Sequence, residues 1–125
     1  MALVPKFYSV NQIFLSSATV TEEMVVVDIT GKSGIFGALA LAPIRGNSSS
    51  IVEWHTITLT IDGEEIINTS NKDTVESIMN IFENGNALYF RLPFQNSLRV
   101  SVRASRSSTS GPVRATASAL VFVEE

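Results

Sequence analysis

The 125-residue chain contains no cysteine, and that absence removes a disulfide framework, a cysteine nucleophile and every thiolate metal centre together. Histidine is nearly absent as well. With His55 as the single imidazole, a zinc site would need carboxylates for its other ligands, and a Ser-His-Asp triad would have to use this one ring. Charge is sparse: Asp, Glu, Lys and Arg make up 17% of the chain, against roughly a quarter in ordinary soluble domains, which leaves surface free to pack against something else. No apolar run approaches the roughly 18 residues of a membrane span. The start "MALVPKFYSV" interrupts any secretory core with Pro5, Lys6 and Tyr8. The expectation is a chain with no membrane partner, made in the cytoplasm.

The formal charge of −3 argues against nucleic acid as a partner, because phosphate binding depends on clustered Lys and Arg. The average conceals an asymmetry. From Arg91 onward the only bases are arginines, whereas residues 1–90 are predominantly acidic.

What the chain does have is alternation. "IVEWHTITLTIDGEEII" (Ile51 to Ile67) alternates strictly, turns at Asp62-Gly63 and resumes, the pattern of a hairpin with a type I′ turn. Period two puts His55, Ile57, Leu59 and Ile61 on one face, expected to be the core face, and Trp54, Thr56, Thr58 and Thr60 on the other. "EMVVVDI" (Glu23 to Ile29) is nearly apolar on both faces and reads as a central strand. "IFGALALAP" (Ile35 to Pro43) is a strand whose small residues permit close approach of another layer. "ALYFRL", "LRVSVRA" and "VRATASALVFVE" are three further strands, the last two joined by the Ser-rich loop 105–112.

One helical signal interrupts them. In "DTVESIMNIFENG", Asp73 can cap, and Val75, Ile78, Met79 and Phe82 recur at helical spacing, which predicts a short helix over about 73–84. Seven or eight strands with one minor helix make an all-β antiparallel sandwich, with strand and loop lengths that favour a jelly roll. Residues 1–20 are expected to form an extended N-terminal arm and first strand, and 21–125 the single sandwich domain.

No constellation carries a chemistry. "GKS" (Gly31 to Ser33) resembles the end of a phosphate-binding loop, but Val26 stands where that loop needs its first glycine. Glu64 and Glu65 are strand neighbours pointing to opposite faces, and Asp28 is a lone acid in an apolar strand. The expectation is therefore no catalytic residue, no metal and no cofactor. One pattern remains: Arg99 and Arg103 alternate with Leu98, Val100 and Val102, and Arg106 and Arg114 flank the Ser-rich loop. These four arginines are candidate self-association residues, facing the acidic part of another copy.

"GIFGALALAP", "ITLTIDGEEI", "LYFRLPFQNSLRVSVR" and "ATASALVFVEE", in that order, resemble the small jelly-roll structural proteins of tailed bacteriophages, which include capsid decoration and tail or fibre components. The resemblance implies a non-enzymatic viral structural protein: a homo-oligomer, first of all a trimer, made in the host cytoplasm and mounted on a virion beside other virion proteins. The alternative is a carbohydrate-binding β-sandwich, in which an exposed Trp54 or Tyr89 stacks on sugar rings.

Overall fold

The computed structural model describes residues 2–14, 23–42, 52–69, 87–106 and 113–125. Eight strands follow one another: β1 (Leu3–Phe14), β2 (Met24–Thr30), β3 (Gly34–Ala42), β4 (Val52–Ile61), β5 (Glu64–Asn68), β6 (Ala87–Phe94), β7 (Ser97–Arg106) and β8 (Val113–Glu124). They form two antiparallel four-stranded sheets, sheet A in the order β1-β8-β3-β6 and sheet B in the order β2-β7-β4-β5. The expected all-β sandwich is therefore present. The helix expected over about 73–84 lies outside the described residues.

The pairing is nested. β4 pairs with β5, β3 with β6, β2 with β7 and β1 with β8. The chain is thus one long antiparallel hairpin, which the β3–β8 and β4–β7 ladders roll into two layers. Its tip is the Asp62-Gly63 turn, with φ of 50° and 83°, the left-handed pair that a type I′ turn requires and that Asp and Gly tolerate.

Alternation builds the core between the sheets. Leu98, Val100, Val102 and Ala104 of β7 point inward and are fully buried, as are Ala115, Ala117 and Val121 of β8. Phe36 of β3 stacks on Phe90 of β6 with ring centroids 4.9 Å apart. Gly34 is required by close approach: a Cβ there would lie 2.2 Å from the Phe122 carbonyl oxygen and 2.8 Å from the Phe94 ring.

Two expectations are corrected, both by bulges. β2 is an edge strand, not a central one. A register shift between Val25 and Val27 turns both Val26 and Val27 inward, so a two-sided apolar run arises without a second layer, and Val25 and Asp28 are exposed. On β4 a shift between Trp54 and Thr56 reverses the phase. Trp54 therefore joins Ile57 and Leu59 in the core at 1% exposure, and His55 is displaced from that face to a half-buried position. The carbohydrate platform that required an exposed Trp54 is lost with it.

Candidate functional site

The two outer faces of the sandwich differ in kind. On sheet B, Thr56, Thr58 and Thr60 stand opposite Arg103, Ser101 and Arg99, and Asp28 stands opposite Arg99 from the other side. Arg99 donates to both oxygens of Glu23, at 2.6 and 3.4 Å, and the Ser101 hydroxyl donates to the same carboxylate at 2.8 Å. The Arg99 bonds and then the Ser101 bond push the Glu23 carboxyl down to about 2. Asp28 lies 4.0 Å from the Arg99 guanidinium. This face is polar, and Arg99, Glu23 and Asp28 answer one another within the chain.

The four candidate arginines fall in different places. Arg99 and Arg103 share the outer face of sheet B, with Arg99 engaged by Glu23 and Arg103 exposed and contributing to the positive field at that carboxylate. Arg106 ends β7, where only its backbone is described, and Arg114 is exposed on β8 in the other sheet. The structure does not gather them into one cluster.

His55 Nε2 is hydrogen-bonded to the buried Ser105 hydroxyl across the β4–β7 pair. Among the described residues no three potential ligands come together around a metal-sized space. Glu64 and Glu65 are exposed on β5, where Glu65 accepts a bond from Asn68.

At the end of the sandwich that holds the hairpin tip, Asp62 has a role the sequence reading missed. Its carboxylate accepts the backbone N–H groups of Gln95 at 3.1 Å, Asn96 at 2.7 Å and Ser97 at 2.9 Å. These three bonds hold its pKa below the ordinary carboxylate value. The Asp62 amide donates to Ser97 O, and the Gly31 amide donates to Asn96 O. Three turns are thereby tied together. Local pattern shows the turn at Asp62, but its acceptor role depends on amides brought near by the nested pairing.

Sheet A turns a largely apolar face outward, interrupted on β6 by the exposed Arg91 between Tyr89 and Pro93. Cross-strand register sets its rows: Pro5, Phe122, Ile35 and Pro93 form one, and Phe7, Leu120, Ala38 and Tyr89 the next. Below them Ser9, Ser118 and Ala40 form a row of small residues, and the two serine hydroxyls bond each other at 3.0 Å. Phe7 and Tyr89, 79% and 63% exposed, flank a shallow trough of about 410 Å³ floored by Ala38, Ala40, Ser118 and Leu120. Those two rings offer roughly 300 Å² of aromatic surface, taking about 200 Å² for each side chain. Isolated exposed apolar residues need no explanation, but a contiguous patch marks an interaction surface. Against known proteins, no family model matches this chain and no curated protein is similar to it in sequence.

Proposed function

We propose that this chain is a non-enzymatic structural subunit that self-associates and is mounted on a larger assembly, a tailed-bacteriophage virion, alongside other virion proteins. The observation that carries the reading is the division of the molecule: a polar face on sheet B, where Arg99 is paired with Glu23, and a largely apolar face on sheet A with Phe7 and Tyr89 exposed. Supporting it, the two packed antiparallel sheets form a β-sandwich, and the jelly roll expected from the sequence, a winding common to viral capsid domains, is compatible with their nested strand order. The Asp62 bracket ties three turns together at one end of the sandwich, its carboxylate taken up by backbone amides.

Light scattering at roughly 100 μM, a concentration that populates micromolar contacts, tests the reading. A multiple of 13.5 kDa is expected, and a persistent single-copy mass overturns it. The carbohydrate-binding alternative keeps one observation in its favour, the exposure of Tyr89. In the trough beside that ring the two floor hydroxyls bond each other, so sugar hydroxyls would have few polar groups to meet. A monomer whose Tyr89 ring resonances move on adding oligosaccharide would establish that alternative.

A further inference from the structure

A sandwich of two open sheets has four edge strands, and unpaired edges invite pairing unless something blocks them. Three of the four are guarded. β5 is five residues long and begins Glu64-Glu65. β6 carries the exposed Arg91 and Pro93, and β2 has its bulge and the exposed Asp28. β1 differs. It is twelve residues long and pairs along its whole length with β8, and among the described residues no strand pairs with its other edge; Glu125 donates to Ala2 O, outside the strand. Pro5 and Lys6 guard only its beginning. Residues 7–14, "FYSVNQIF", contain no charge, no proline and no glycine, and Phe7, Ser9, Asn11, Gln12 and Ile13 are all exposed.

We propose that the β1 edge is a two-fold self-association site, at which β1 of a second copy adds antiparallel and joins the two A sheets into one eight-stranded sheet. The proposal rests on the self-association reading above and names its contact. A second copy is selected by the register the sequence permits. A two-fold axis at Val10 sets residue i opposite residue 20 − i of the other copy. On the outer face, Phe7 then stands opposite Ile13 and Ser9 opposite Asn11, apolar against apolar and polar against polar, twice over by symmetry. Pro5, which has no amide to donate, falls beyond the end of this ladder.

Moving the axis to Ser9 would set Phe7 against Asn11 and draw Pro5 into the ladder opposite Ile13. Moving it to Asn11 would leave Phe7 opposite residue 15, past the end of β1. The Val10 register alone matches every described outward side chain with its like. It also covers Phe7, the most exposed large apolar residue described. A ladder of about nine residues per strand spans roughly 30 Å and is small for a permanent interface, so the expected dissociation constant is on the order of micromolar.

The absence of native cysteine makes the test direct. Val10→Cys should form an intermolecular disulfide under mild oxidation, because directly opposed antiparallel residues lie about 4.5–5.5 Å apart at Cα, within disulfide reach. Leu3→Cys, on the same strand but far from the axis, should not. Ser9→Lys with Asn11→Lys sets lysine opposite lysine at both symmetric pairs, and should raise the dissociation constant about tenfold or more while the single copy still folds. Because Ser9 also bonds Ser118, Asn11→Lys alone is the second variant, expected to weaken the dimer less. A two-copy mass that halves in the double variant supports the contact. Three copies, or cross-linking of Leu3→Cys and not Val10→Cys, overturns the two-fold edge and leaves self-association standing; a monomeric parent overturns both.

Discussion

Asp62 turns the chain with a left-handed backbone and, with the same residue's carboxylate, accepts three successive amides of the β6–β7 turn. Replacing it by alanine removes every acceptor and also strains the positive φ, whereas asparagine tolerates that φ and keeps one oxygen. The melting temperature should therefore fall in the order wild type, Asp62→Asn, Asp62→Ala; equal values would mean the bracket contributes nothing. Gly63→Val, at φ 83°, should cost at least about 1 kcal/mol, since a β-branched residue is forced into the left-handed region. Glu23 supplies a pH signature. Its folded pKa of about 2 lies below the ordinary 4.5, so its contribution to stability is complete above about 4.5 and is lost as pH falls towards 2. For a partly exposed pair that contribution is about 1 kcal/mol at most. Glu23→Gln should flatten the stability profile between those values in acid denaturation, and an unchanged profile would remove Glu23 from the account.

At the scale of strands, most of the β pattern was legible because burial alternates with period two, and β8 shows it without a break, while β7 departs from it only at the buried Ser101 and Ser105. Bulges were not. One extra residue reverses the face of everything beyond it, and nothing in "VEWHTI" marks the slip that sends Trp54 into the core. β2 failed for the same reason: three successive valines cannot say which of them lies outward. Position within a sheet is also a long-range property, since β1 finds β8 across nearly the whole chain. The small residues read on β3 were those of 35–43, approached by another layer; the tightest approach falls instead at Gly34, and it is to the β8 backbone and the Phe94 ring of β6 within the same sheet. Gly34→Ala would place a methyl 2.2 Å from a backbone oxygen of β8, and the strand pair would have to separate. A loss of about 2 kcal/mol or more in denaturant unfolding is expected, in the range of overpacked sites; a neutral result would show that β3 can move away from β8.

For the whole molecule, the arginine reading and the edge reading of self-association part company over salt. The candidate residues were visible in sequence, but their separation onto two sheets was not, because it depends on the rolling of the long hairpin. Arg99 already has Glu23 and Ser101 beside it within one chain, so bringing it to a partner would mean breaking or sharing that pair. The β1 contact consists of main-chain hydrogen bonds and the Phe7–Ile13 pairs, and carries no opposed charges in residues 7–13. Ion pairs between copies weaken as the Debye length falls from about 10 Å at 0.1 M salt to about 3 Å at 1 M. Apolar and main-chain contacts do not depend on that length. The dimer population measured by sedimentation should therefore be equal or greater in 1 M sodium chloride than in 0.1 M, and Arg99→Glu with Arg103→Glu should leave it intact while lowering the melting temperature through repulsion at Glu23. Dissociation by salt, together with dissociation in the arginine variant, would return the interface to the charged face of sheet B.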